Sequence, residues 1–463
     1  MKKVLLLNPP GKQLYIRDYY CSKVSQADYI NQPVDLLVIS GILDTYVELQ
    51  AIDAIAGNIS IEATLAEIRT VDPDVVIVLV GAVSLTEDAA FMKQLRAILP
   101  QARILCTGDI FNEAPEQYLL TIPEIDAAVT DFTSPEILAY VTGAATAFAT
   151  IVTRTGERKQ LPSTGAGAQF LDAVPRHDLF TRFNYRHPFI HGRRFATTLI
   201  DFGCPFKCSF CIMKKLPYRT RPVDAIMREL HTIKAMGITE ILIDTQTFGA
   251  NKAHALEVCR RMVDEKLNMG WVCFSRVDIT TPEMLSRMKE AGCHTIMYGV
   301  ESGSAHILKK YQKGYTPEQI HRTIDYASSI GLETVGTFIL GLPEESETTM
   351  RETLDTLRRI RLDYASFNVA VPRAGTELRQ EALGLGFIKD DFTVMDQSGT
   401  EVAMPTKSLT REDIRRFRQK AVRAFYFRPG YLLKRLMHLR SPYELYRTIS
   451  QGLSLVQRTW KGS

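Results

Sequence analysis

The chain has 463 residues, is 45% hydrophobic, and carries 56 Lys and Arg against 52 Asp and Glu. That length calls for two or three domains of ordinary globular composition, and no run approaches the roughly 18–20 uninterrupted apolar residues of a membrane span. Eight cysteines in so long a chain do not make a disulfide framework, and a reducing, cytoplasmic setting is expected.

Residues 1–142 alternate strand and helix patterns. Continuous Val, Ile and Leu runs at 4–8, 47–53, 74–80, 102–107 and 125–130 predict strands buried on both faces, with helical patterns between them, as at 61–69 and 89–99. The expectation is an α/β domain, a parallel sheet in flavodoxin-like order. The first run reads as its opening strand and not as a signal peptide, because no small-residue cleavage site follows. Turn residues close several strands: Asn8-Pro9-Pro10-Gly11, Gly81, Thr107-Gly108-Asp109 and 131–134. The carboxyl ends of such strands form a ligand crevice, but no phosphate-binding glycine pattern is present. The first histidine is His177, so this domain can supply no imidazole.

Residues 143–192 read as a linker. The segment 150–157 looks like one edge of a hairpin turning at Gly156, and 162–168 has flexible composition. His177, Arg182, Tyr185, Arg186, His187 and His191 follow; they could drape over a cofactor or simply pack on both neighbouring domains.

From 193 to 390 the strand, loop and helix pattern returns. Strands are expected at 195–202, 240–244, 270–274, 294–298, 334–340 and 364–371, with a helix at 222–236 ended by Gly237. The first strand runs into Asp201-Phe202-Gly203-Cys204-Pro205-Phe206-Lys207-Cys208-Ser209-Phe210-Cys211. Cys204, Cys208 and Cys211 can hold three corners of a cubane iron–sulfur cluster and leave the fourth iron open. Phe206 and Phe210 could shield the metal from water, and burial tunes such a site. A structural zinc loop or unrelated thiols are the alternatives, though zinc usually takes four ligands in paired spacings. Cys21, Cys106, Cys259, Cys273 and Cys293 are scattered and read as buried small hydrophobes.

The region 391–463 is basic. From Arg411 onward there are 13 Lys and Arg against 3 Asp and Glu. Thr410 is a candidate N-cap. Leu432, Leu433, Leu436, Met437 and Leu439 form an apolar stripe among basic residues, which suits either peripheral contact with the inner membrane face or packing on the core. No nucleic-acid module accompanies the charge.

The cysteine spacing resembles the signature of the radical S-adenosylmethionine (SAM) superfamily, and a flavodoxin-like domain in front of it resembles cobalamin-dependent members. The group is the one containing the anaerobic magnesium-protoporphyrin cyclase and many methyltransferases. The resemblance implies a partial (β/α)6 barrel with a 4Fe-4S cluster on Cys204, Cys208 and Cys211. SAM would lie against Phe210, the strand-two end Asp244, Thr245 and Gln246, Arg276 after strand three, Glu301 and Ser302 in Gly299-Val300-Glu301-Ser302, and Gly341 in Gly341-Leu342-Pro343-Glu344-Glu345. Glu344 stands where the family usually has Gly. Glu345 would suit the first turn of a helix, and 367–376 resembles a Pro-x-x-Gly-Thr stretch. Arg276 would pair with the SAM carboxylate, a salt bridge elsewhere being the alternative. Cobalamin would bind residues 1–142 without a lower His, unless the domain is a degenerate one kept for packing.

The function implied is a radical SAM enzyme that uses a 5′-deoxyadenosyl radical, with cobalamin-dependent methyl transfer to an unactivated carbon of a lipid-like or other secondary metabolite. An external flavodoxin or ferredoxin would supply electrons. Radical cyclisation or oxidation without methyl transfer, and a non-catalytic metal-stabilised scaffold, are the alternatives.

Overall fold

The computed structural model describes residues 1–25, 28–154, 172–391, 396–397, 401–429 and 431. The first domain forms around β1 (Lys3–Asn8), α1 (Val34–Leu43), β2 (Glu48–Asp53), α2 (Ile61–Val71), β3 (Val75–Leu79), α3 (Leu85–Ile98), β4 (Arg103–Thr107), α4 (Pro115–Thr121), β5 (Ala127–Val129) and α5 (Glu136–Thr142). Its parallel strands stand in the order β2-β1-β3-β4-β5, the order expected of the predicted sheet. Val75, Val76, Ile77, Val78 and Leu79 are all buried, and alternate residues enter opposite cores, as the two-residue pleat requires.

One boundary differs from the sequence reading. β6 (Ile151–Thr153) lies in the stretch taken as linker, but pairs antiparallel with β5 and closes the sheet edge. A short apolar run beside an open edge satisfies backbone groups that would otherwise face water. Gly156 and 162–168 lie outside the described residues.

The second sheet holds β7 (Ala196–Thr198), β8 (Glu240–Ile243), β9 (Gly270–Ser275), β10 (Cys293–Glu301), β11 (Glu333–Leu340) and β12 (Tyr364–Val369), all parallel and neighbouring in chain order. Helices α6 (Val223–Ala235), α7 (Lys252–Asp264), α8 (Pro282–Glu290), α10 (Pro317–Ser329) and α11 (Glu347–Arg359) pack successively outside it, with the short α9 (Ala305–Lys310) following β10. The first and last strands do not pair, so this is an open six-stranded partial barrel. Strand residues Ile241, Ile243, Trp271 and Cys273 face the helices, whereas Leu242, Val272, Met297 and Val335 join a core shared with the first domain.

That shared core also takes in Phe180, Tyr185 and Ile190. His177 Nε2 meets Glu229 Oε1 on α6 at 2.9 Å, and Tyr185 donates its hydroxyl to Asp53 Oδ2 at 2.9 Å. The segment is thus a connector packed on both domains. α12 (Glu377–Gly384) follows the barrel, and in the tail Thr410 caps α13 (Arg411–Tyr426) through a reciprocal bond with Asp413. α13 packs Ile414, Ala421, Val422 and Phe425 against the barrel, so this part of the basic tail is a docked helix. The apolar stripe from Leu432 to Leu439 lies outside the described residues. No helix among the described residues is long and apolar enough to cross a membrane.

Gly108 ends β4 with φ 132°, and a Cβ there would sit 1.9 Å from the Val80 carbonyl oxygen. Gly108→Ala is expected to lose about 2–4 kcal/mol of unfolding free energy. Gly143→Ala, at φ 79° in open space, should lose only about 1–2 kcal/mol from backbone strain. Urea titration of the two variants checks the contrast.

Candidate active site

The cysteine loop leaves the barrel immediately after β7. Asp201–Phe202 peels away from the sheet and pairs antiparallel with Arg219–Thr220, so the predicted single strand 195–202 is broken into two. The pairing staples the two ends of the loop together. Ser209 braces its middle: its N–H donates to the Tyr311 carbonyl at 3.2 Å, and its own carbonyl accepts from Leu378 N–H at 3.1 Å. The loop is therefore fixed by the segments after β10 and β12 as well as by its own strand.

Cys208 is buried, and Cys204 and Cys211 are half-buried. Burial raises the Cys204 pKa and pushes the Cys211 thiol up to about 12; a metal held there would supply the charge that keeps them as thiolates. Among the described residues, no three His, Cys, Asp or Glu side chains converge closely enough for one metal ion. Arg276 Nη1 donates to Cys208 Sγ at 3.5 Å, Thr247 Oγ1 lies 3.9 Å from Cys204 Sγ, and the Arg276 guanidinium covers the Phe206 ring at 3.8 Å. Such contacts suit an iron–sulfur cluster.

The other expected site residues divide into those that face this loop and those that turn away. Asp244 is 8% exposed, its carboxylate makes no hydrogen bond among the described residues, and burial raises its pKa to about 6 against the lowering charge of Lys23. It is the free acceptor at the β8 end. Thr245 bonds Asp201 through its hydroxyl, and Gln246 Nε2 donates to Tyr19 OH at 3.3 Å. Glu301 has φ 59° and lies where the β10–β11 register shifts. Such an irregularity re-aims a side chain, and here the carboxylate accepts from Lys313 Nζ at 2.8 Å. Lys313 also lies over Phe210 at 5.8 Å.

Ser302 is fully buried and turned away. Its Oγ meets Thr353 Oγ1 on α11 at 3.1 Å and accepts from Ser304 N–H at 3.1 Å. Arg276 spends Nε and Nη2 on Asp278 at 3.0 and 2.8 Å, so in this arrangement its fork is the salt bridge and not a free carboxylate receptor. Gly341 has φ 89° and its N–H donates to Glu345 Oε2 at 2.5 Å. Glu345 closes this turn from outside the helix, because Ser346 takes the N-cap of α11.

Three contacts absent from the sequence reading bring the first domain to this loop. Arg373, in the Pro-x-x-Gly-Thr stretch, is 2% exposed and donates to Asp109 Oδ2 at 2.8 Å and Glu113 Oε1 at 2.7 Å. Arg219 donates to Asp131 Oδ2 at 2.5 Å and Thr133 Oγ1 at 2.9 Å. Tyr19 stacks on Phe202 with ring centroids 5.5 Å apart and touches Phe132 at 4.8 Å. Asp109 and Asp131 stand at the carboxyl ends of β4 and β5, so the ends of both sheets face each other across the cysteine loop. Along this seam Asp35 Oδ2 and Arg373 Nη1 are buried and make no hydrogen bond among the described residues. A ligand rich in amides, as cobalamin is, offers both a donor and an acceptor to such atoms. No signal in the sequence marked Arg219 or Tyr19, since each acts only through a distant partner.

Residues 200–357 match the radical SAM superfamily. The chain carries a radical SAM domain. The resemblance read from the cysteine spacing agrees with that match. An uncharacterized methyltransferase of Pyrococcus horikoshii is 26% identical over 93% of this chain and 94% of its own length. The anaerobic magnesium-protoporphyrin IX monomethyl ester cyclase of Cereibacter sphaeroides is 25% identical over 83% of this chain and 64% of its own. Two solved structures share the fold. The cobalamin-dependent SAM radical enzyme OxsB, with aqua-cobalamin and SAM bound, aligns at TM-score 0.69 and 16% identity over 98% of this chain and 72% of its own. The radical SAM methyltransferase TsrM from Kitasatospora setae, with tryptophan and a SAM analogue bound, aligns at TM-score 0.65 and 19% identity over 84% and 77%.

Arg373→Met leaves Asp109 and Glu113 buried without a cation and is expected to cost about 3–5 kcal/mol. Chemical denaturation should show the loss, with limited proteolysis reporting whether the radical SAM domain and the first domain separate.

Burial raises the Glu345 carboxyl to about 7 from an ordinary 4.5, against the two N–H groups that lower it. The folded chain keeps this proton where the unfolded chain releases it, so stability is full below about 4.5, falls as pH rises toward 7, and is flat above. Glu345→Gln should remove up to about 1.4 kcal/mol per pH unit of that slope, measured by denaturation between pH 5 and 8.

Proposed function

We propose that this protein is a cobalamin-dependent radical SAM methyltransferase that places a methyl group on an unactivated carbon of a small, lipid-like or other secondary metabolite. The observation that carries the reading is the opposition of the two sheets' carboxyl ends across the cysteine loop, clasped by Arg219 and Arg373. When bound, the cluster supplies the electron that splits SAM to methionine and a 5′-deoxyadenosyl radical, and cobalamin supplies the methyl group.

The chain's own part is placement and exclusion of water. Cys204, Cys208 and Cys211 would each hold one iron. Phe206 and Phe210 cover the loop. Asp244, ionised at neutral pH, is an acceptor for the SAM amino group, and Glu301 is aimed into the same end by its left-handed backbone. The first domain would hold cobalamin without an imidazole, through groups such as Asp35, with Arg373 reaching it from the barrel side. A flavodoxin or ferredoxin is the proposed electron source.

Anaerobic reconstitution with SAM, cobalamin and reductant tests this reading. The expected products are 5′-deoxyadenosine together with S-adenosylhomocysteine, and Cys208→Ala should abolish the first. Deoxyadenosine without S-adenosylhomocysteine would favour radical cyclisation or oxidation, the reaction class named for the cyclase relative. Absence of both would count against an enzyme of either kind.

A further inference from the structure

We propose that Arg276 is a positioning residue for the cluster's reduction potential, holding a hydrogen bond and a fixed positive charge against the Cys208 ligand. The proposal rests on the assignment of Cys204, Cys208 and Cys211 as cluster ligands, and it departs from the expectation that Arg276 grips the SAM carboxylate.

The geometry leaves this side chain little freedom. Nε and Nη2 are held by the two oxygens of Asp278 at 3.0 and 2.8 Å. Nη2 also donates to the Lys313 carbonyl. The remaining nitrogen, Nη1, donates to Cys208 Sγ at 3.5 Å. The guanidinium plane is pressed on Phe206 at 3.8 Å, with Tyr315 at 5.2 Å. Its side chain is 7% exposed, so counter-ions and water screen it weakly. Phe206 belongs to the loop between Cys204 and Cys208, so the same contact that orients the arginine also fixes the loop.

A donor on a ligating sulfur draws electron density from it, and a nearby cation favours the more negative, reduced cluster. Both act in one direction and raise the potential, the hydrogen bond more than the charge, because Asp278 offsets much of the guanidinium's charge. A guanidinium suits the task because it cannot lose its proton to the thiolate. Reduction takes up one electron from an external reductant, and no bond is made or broken at Arg276.

The test uses the full-length chain reconstituted anaerobically with iron and sulfide, without SAM. Iron counts and EPR-monitored potentiometric titration are taken on the wild type, Arg276→Gln and Arg276→Lys. The glutamine variant is expected to show at least a tenfold less favourable reduction equilibrium, ~59 mV more negative for a one-electron couple. The lysine variant, which keeps charge but loses the fork, should fall between. Fully loaded variants with wild-type midpoints would overturn the proposal. So would a glutamine variant whose SAM affinity collapses while its SAM-free midpoint stays put, since that outcome makes Arg276 a SAM ligand. If the glutamine variant does not fill with iron, a wild-type midpoint for the lysine variant overturns the role of the fork. A wild-type chain that takes up no cluster overturns the cysteine assignment itself, and this proposal with it.

Discussion

Two parallel sheets end against each other in this chain, and buried arginines hold them there. Arg373 reaches from the last barrel strand into the first domain, where Asp109 and Glu113 neutralise it. Arg219 does the same from the far side of the cysteine loop, onto Asp131. Paired buried charges contribute little net stability compared with apolar packing, but a mispaired one is costly. Each pair joins a residue of the barrel half to one of the first domain, so these charges are matched in this relative placement of the two. A shared core running from α1 through Tyr185 to Val335 supplies the adhesion, and the ion pairs supply the register.

That register matters because the chemistry of each half lies at its strand ends. In an open α/β sheet and in a barrel alike, ligands meet the carboxyl ends of the strands. Here both sets of ends converge on the same dozen residues. The cysteine loop is pinned by Ser209 to the segments after β10 and β12, by the Arg219–Thr220 strand to its own base, and by Tyr19 to the first domain. These contacts hold the base and the middle of the loop, as a site with three ligands at set separations would require.

The polar residues at this junction fall into two kinds. Among the described residues Asp244 keeps a buried carboxylate with no side-chain hydrogen bond, and Glu301, set by an irregularity in β10, is paired with Lys313 alone. Thr245, Gln246, Ser302 and Arg276 have their hydrogen bonds taken by Asp201, Tyr19, Thr353 and Asp278. The second kind forms the scaffold that aims the first. Proximity to the motif was shared by both, so it could not separate them.

The sequence by itself determined the two sheets, their strand orders and the place of the cysteine loop. Short apolar runs bounded by turn residues read as strands covered on both faces, and three closely spaced cysteines with phenylalanines between them carry their chemistry in their spacing. It also indicated that no histidine precedes His177, a fact about composition that folding cannot alter. The tertiary structure decided what each polar side chain does. Arg276 looked like a receptor for a carboxylate until Asp278, two residues on, was seen to fill its fork. Ser302 looked like a ligand-facing hydroxyl until α11 placed Thr353 against it. Arg219 and Tyr19 had no local signal because their partners lie 88 and 227 residues away, and the motif around Arg373 held no trace of Asp109, 264 residues away. Short-range periodicity records which face of a strand or helix is buried. It holds no record of which distant charge will arrive at that face, because that depends on how two separately patterned sheets come to rest against each other.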